Sequence, residues 1–365
     1  MDRESAGNMG LVKRMEVNRE QSVYMQILKE GVVDWLLDDS NPSVRYLTLV
    51  NILDRKKTDP EVSRAKAQIM VSGVVPKILQ KQRGKSWNSP GRFYLDKYRG
   101  TVWQLIVLAE HEADATNQGI RDACEYVLCC SQDPDSYGFS YNQRGNNGGG
   151  RHSEVIPCLT GNMIWSLIKL GFMHDERTKK GIEWIAKYQR FDDGVEAHLS
   201  GWPYDRYEMC WGKHTCHMGV VKSLKALSAL SIEQRDSSVR DTISRGADHL
   251  LTHHVYKRSH DLSKTAKPGW RKLQFPLMYQ TDILEICMIL LDLGYRDNRM
   301  QDAVDIIASK KGGDGKWNLE ATFNGKFQVD VETKGKPSKW ITYRALYVLK
   351  KYHEMEPNTH EQICY

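Results

Sequence analysis

Residues 158–172 read CLTGNMIWSLIKLGF, and residues 216–230 read CHMGVVKSLKALSAL. Each stretch is long enough for three to four helical turns and is apolar on most of its faces. A helix with no polar face belongs in an interior. The segments just before them differ. Residues 120–130 and TKKGIEWIAKYQ at 178–189 carry ordinary amphipathic stripes, as surface helices do. A loop with glycine and an aromatic joins each surface helix to its buried partner: DSYGFS at 135–140 in one case, FDDGVE at 191–196 in the other.

The same plan recurs along the chain at roughly 45 to 65 residues, a period that marks a repeat architecture. GVVDWLLDD at 31–39 precedes SVRYLTLVNIL at 43–53, and VPKILQKQ at 75–82 precedes KYRGTVWQLIVLAE at 97–110. VRDTISRGADHLLTHH at 239–254 precedes YQTDILEICMILLDLGY at 279–295. MQDAVDIIASKK at 300–311 precedes KWITYRALYVLKKY at 339–352. Alternating β-branched runs joined by tight turns, the mark of hairpin sheets, are almost absent. The pattern predicts an all-α fold, an α/α toroid of about six helical hairpins with two concentric rings of helices. One domain over 22–355 is expected, with polar tails at 1–21 and 356–365.

The chain has 365 residues, 40% hydrophobic and 27% charged, close to a globular average. No apolar run approaches the roughly 20 residues of a membrane span. The longest, Ile283 to Leu293, is broken by Glu285 and Asp292. The N-terminus opens with Asp2, Arg3 and Glu4 and lacks the apolar region of a signal peptide. Cys364 is second from the end, which does not make a prenylation box. A cytoplasmic protein is the expectation. The net charge of +6 comes from 52 basic and 46 acidic residues spread along the chain. A nucleic-acid binder concentrates its positive charge, so no nucleic-acid partner is expected. The expected partner is a small-molecule or peptide substrate.

Eight cysteines in such a chain are free, metal-bound or catalytic rather than disulfide-bonded. Cys124, Cys129, Cys130 and Cys287 sit inside apolar helical patterns and read as core. Cys158, Cys210 and Cys216 lie among His, Asp and Gly. In a ring of hairpins the N-terminal ends of the buried helices share one rim. Cys158 begins one such helix, and Cys216 with His217 begins the next. Cys158, Cys216 and His217 therefore form an expected three-ligand zinc site with one open position, the catalytic kind. CWGKHTCH at 210–217 packs four potential ligands into eight residues.

The glycine–aromatic loops, best seen in GDGKWNLE at 313–320 and SWNSPG at 86–91, resemble the repeats of terpenoid cyclases and protein prenyltransferases. That resemblance implies the α/α toroid. The elements CWG at Cys210 and CHMG at Cys216 are similar to those of lanthionine-forming cyclases. There two cysteines and an adjacent histidine hold zinc, which implies Cys158 or Cys210, Cys216 and His217 as ligands. A Met between His217 and Gly219 departs from that pattern. Protein prenyltransferases hold zinc through Asp, Cys and His, which gives Asp282 a possible part. The DxDD acid and the DDxxD diphosphate motif of terpene cyclases are both missing from the sequence.

His214, Tyr204 and Asp282 are the expected acid–base groups beside such a metal, with His152, Glu154, Asp205 and Tyr207 on the same loops. Arg99, Arg344 and Arg45 fall near starts of buried helices; Arg99 and Arg344 can hold a phosphate, diphosphate or carboxylate, and Trp211 can line the substrate. The glycine-rich loop from Asn142 to Glu154 lacks a P-loop lysine and reads as a lid. The expected function is a zinc-dependent enzyme that activates a thiol or water on an apolar substrate bearing an anionic group. A metal-free terpene-cyclase-like enzyme and a non-catalytic binding ring are the alternatives.

Overall fold

The computed structural model describes residues 31–89, 91–145, 148–194, 199–356 and 358. The expected N-terminal tail lies outside them, as does most of the C-terminal one. Among the described residues the chain is helical apart from one two-stranded ribbon. In chain order the helices are α1 Val32–Leu36, α2 Pro42–Asn51, α3 Pro60–Gln68, α4 Val74–Leu79, α5 Thr101–Glu110, α6 Gln118–Cys130, α7 Pro157–Lys169, α8 Glu176–Tyr188, α9 Glu208–Trp211, α10 His217–Ser228, α11 Ser237–Thr252, α12 Ile283–Asp292, α13 Gln301–Ser309 and α14 Lys339–Glu354. Strands β1 Lys257–Arg258 and β2 Asp261–Thr265 pair antiparallel. The ribbon and α3 fall outside the expected hairpins, although Asp59 and Pro60 supply an N-cap and a proline at the first turn of α3.

Local sequence chemistry sets the helix ends. Asn41, Asn117, Asp175, Asp236, Asp282 and Ser338 each accept a hydrogen bond from a first-turn N–H. Gly171 and Gly294 take left-handed backbone just past α7 and α12, at φ 84° and 92°.

Helices α5, α7, α10, α12 and α14 are buried on nearly every face, while α6, α8, α11 and α13 bury one stripe. Helix α7 packs on α5, α8 and α10; α10 packs on α11 and α12; α12 packs on α13 and α14; α14 packs on α2. The most extensive of these contacts is α7 against α10. Its cause is Gly161. A Cβ there would stand 2.3 Å from the carbonyl carbon of Lys222 and 2.6 Å from the nitrogen of Ser223, so only glycine lets the two backbones approach. Gly161→Val is therefore expected to lower stability by about 1–3 kcal/mol through overpacking. Urea unfolding should show a lower midpoint at unchanged slope. An unchanged midpoint would mean that α7 and α10 do not cross this closely.

The buried helices are not uniformly apolar. Lys222 and Lys225 of α10, Glu110 of α5, Glu285 of α12 and Arg344 of α14 meet in one buried ion network. Lys222 reaches the Glu285 carboxylate at 2.7 and 2.8 Å, and Lys225 reaches Glu110 at 2.6 Å and Glu285 at 3.0 Å. Arg344 donates to Glu110 at 2.5 Å. Side chains from four helices thus share one interior point.

Candidate metal centre

The stretch ADHLLTHH carries helix α11 through its C-cap residue His253, which places His249 and His253 one turn apart. The first residue of the neighbouring α10, His217, turns toward them. One ring nitrogen from each of the three lies within 4.8 Å of the other two. His217 stacks on Trp270 at 4.4 Å between centroids and meets the His253 ring edge to face at 5.2 Å.

Backbone carbonyls fix the orientation of two rings. His249 Nδ1 lies 3.0 Å from the oxygen of Phe191, and His253 Nδ1 lies 2.9 Å from the oxygen of Lys257. A carbonyl can only accept, so in each case Nδ1 carries a proton, and Nε2 is the nitrogen left to serve as a metal donor in the neutral ring. The Nε2 atoms of His217 and His249 are buried with no hydrogen-bond partner in the protein. Burial of such an atom without a partner costs about 1–3 kcal/mol. A cation at the centre of the three rings would satisfy them. Burial also keeps His249 neutral, with its pKa lowered to about 4, aided by the neighbouring His253. Neutral imidazole is the form that binds metal.

A cleft of about 250 Å³ opens on this cluster and is also lined by Asp193, His214, Arg258 and His260. Asp193 Oδ1 lies 3.8 Å from His253 Nε2 and 3.4 Å from His214 Nδ1. Burial works against ionisation of Asp193, but Ser259, His253 and His214 outweigh it and lower its pKa.

The sequence-expected residues are distributed differently. His217 is in the centre and His214 is at its mouth, 68% exposed. The cysteines are not among its donors. Among the described residues two groups of three or more donors lie within 4.8 Å of one another, His217–His249–His253 and Asp133–Asp135–His152, and neither contains a cysteine. His217 thus parts from Cys158 and Cys216, because residues 216 and 217 stand on either side of the α10 N-terminus. Cys210 and Cys216 hydrogen-bond to each other. That bond, with the N–H groups of Gly219 and Met218, outweighs burial and lowers the Cys216 thiol to about 6. Cys158 is buried, which raises its thiol to about 12.

Asp282 is a buried helix cap that accepts from the N–H of Glu285 and of Gln274, each at 2.8 Å. Burial raises its pKa to about 6. Tyr204 donates to the carbonyl of Tyr188 at 3.3 Å and packs edge to face on Trp211, which is fully buried. Arg344 is in the interior ion network, whereas Arg99 is exposed and donates to the carbonyl of Gly325 at 3.1 Å. Arg45 pairs with Asp39 and Glu61. In the second donor group, His152 Nδ1 lies 2.7 Å from Asp133 and its ring stacks on Trp202.

The residues missed by sequence reading are His249, His253 and Asp193. The i, i+4 spacing of His249 and His253 was a legible signal, since that spacing places two imidazoles on one helix face.

No protein-family model matches the chain, and no curated protein matches it. Among solved structures, a protein from Actinoplanes matches 79% of this chain and 99% of its own length, at 13% identity and a TM-score of 0.28. A likeness at that score carries no argument about fold or function. No helix among the described residues is long and apolar enough to cross a membrane.

Proposed function

We propose that this chain is a metal-dependent enzyme on a ring of helical hairpins, with a zinc-type ion held by His217, His249 and His253. The observation that carries the reading is the pair of buried, unpartnered Nε2 atoms on His217 and His249, aimed where His253 also offers a nitrogen. Three imidazoles suit zinc better than magnesium or calcium. Three protein ligands with one open position are the pattern of catalytic zinc, which lowers the pKa of a bound water or thiol toward neutrality. His214, paired with Asp193 at the mouth, is the group placed to take the proton. Arg258 on the same cleft gives an anionic substrate group its partner. The cleft volume suits a small substrate or one residue of a larger one. The closed ring is supported by the four helices that feed one interior ion network and by the packing of α14 on α2. A cytoplasmic setting agrees with the free thiols.

A second reading has one observation in its favour. Asp193, 3.8 Å from His253, can complete a four-ligand shell and make the ion structural. Metal analysis of purified protein and two variants separates the readings. The proposed enzyme holds near-stoichiometric zinc, loses it in His217→Ala, and keeps it in Asp193→Ala. Loss of zinc in Asp193→Ala as complete as in His217→Ala would favour the structural site. Absence of zinc, manganese, iron and cobalt after loading would end both readings.

A further inference from the structure

A second cavity, of about 1180 Å³, is formed by the 80–83 segment, the loop leading into α5 and the 325–328 turn, and it shares no lining residue with the histidine cleft. Five cations line it: Lys81, Arg83, Lys97, Arg99 and Lys326. All five are exposed. The acidic residue on its wall is Asp96, and Arg92 already engages that carboxylate at 2.6 Å. Among the described residues none of the five cations makes an ion pair with a carboxylate.

Three of these cations are nevertheless held in place. Arg99 donates to the carbonyl of Gly325 at 3.1 Å, and Lys81 to the carbonyl of Gln328. The Lys97 ammonium sits over two rings, 4.9 Å from the centroid of Tyr94 and 4.8 Å from that of Tyr279. Neutral groups hold the charged ends, and no carboxylate compensates them. Arg177, by contrast, is clamped by Glu125 and Asp175. Like charges gathered in a concave wall repel one another and focus a positive field into the cavity. The arrangement becomes favourable when an anion enters, and most favourable for one with several charges. The arginine forks match the paired oxygens of phosphate or carboxylate.

We propose that this cavity is a binding site for a small ligand with clustered oxyanion groups, either phosphates or carboxylates. The site is independent of the proposed metal centre. One charged group would leave most of the five cations unmatched, so the ligand carries at least two.

Titration calorimetry on the full chain, with inorganic tripolyphosphate and with citrate, tests the assignment. The expected result is saturable one-to-one binding that weakens as salt rises toward about 0.15 M. The double variant Arg83→Ala/Arg99→Ala is expected to weaken it about tenfold or more, and His249→Ala to leave it unchanged. Preference for tripolyphosphate assigns phosphate, and preference for citrate assigns carboxylate. The variant side chains are exposed, so circular dichroism and Tm should not move; if they do, Lys326→Ala gives the same reading. Absence of saturable binding to either ligand, or affinity unaffected by the variants, overturns the proposal. So does a single-stranded oligonucleotide that displaces tripolyphosphate at lower concentration, which would make the surface a nucleic-acid contact.

Discussion

Glu110→Gln is expected to destabilise the fold by about 3–5 kcal/mol, because removing one member of a buried ion network leaves its partners charged and unmatched. Glu110 is buried and bridges Lys225 and Arg344. Lys225 keeps a second bond, to Glu285 at 3.0 Å, but among the described residues no other carboxylate lies within ion-pair distance of Arg344. The cost should therefore fall mainly on Arg344. Urea unfolding of Glu110→Gln, Arg344→Met and the double variant separates the terms. The double variant should be more stable than Glu110→Gln alone, since it removes the stranded guanidinium. A loss below about 1 kcal/mol in Glu110→Gln would refute the network as a determinant of stability.

The same carboxylate sets an acid limit. Burial alone would raise its pKa, but Arg344 and Lys225 outweigh burial and hold it at about 2, against 4.5 for an unperturbed glutamate. A carboxylate lowered in the folded state stabilises above its unfolded value and loses that contribution as pH falls. Stability from Glu110 is thus complete above pH 4.5 and drains away toward pH 2. That shift is worth on the order of 3 kcal/mol. The acid limb of the stability curve should flatten in Glu110→Gln, and an identical limb in the two proteins would contradict this assignment.

The second large effect concerns the metal. Zinc at about a thousand times its dissociation constant is expected to raise the unfolding free energy by about 4 kcal/mol, as any ligand that binds only the folded state does. In His249→Ala most of that increment should vanish. The reason is geometric: Phe191 holds Nδ1 of this ring, and its buried Nε2 has no protein partner to satisfy it. The quantity to compare is the zinc-dependent difference in Tm for each protein, with and without a chelator, so that any cost of truncation cancels. An equal zinc shift in wild type and His249→Ala would remove the histidine cluster from the metal site.

Much of the architecture was legible because helix periodicity is local. The all-round apolarity of residues 158–172, 283–293 and 339–352 corresponds to helices α7, α12 and α14, buried on nearly every face. The surface helices α6, α8, α11 and α13 show the one-sided stripe read from the sequence. Caps such as Asp236 and Ser338 follow the same local rule. Helix α3 was legible from Asp59-Pro60, but it packs on α2 outside the expected hairpin pairs.

The site was legible only in part. Sequence proximity joined Cys216 to His217, yet adjacent residues at a helix start point in different directions, and the fold sends one to Cys210 and the other to His249 and His253. Sequence determined that α10 begins beside a polar pair and that two histidines one turn apart lie at the end of α11 and its cap. The tertiary structure alone decided that these two ends meet, because the packing of α10 on α11 brings together residues more than thirty positions apart in the chain. It also separated Arg99 from Arg344. Both precede or occupy buried helices in the sequence, but one emerges into a basic cavity and the other is neutralised inside by Glu110. Periodicity fixes which face of a helix is buried; whether a charge on it finds a partner depends on what the other helices place opposite.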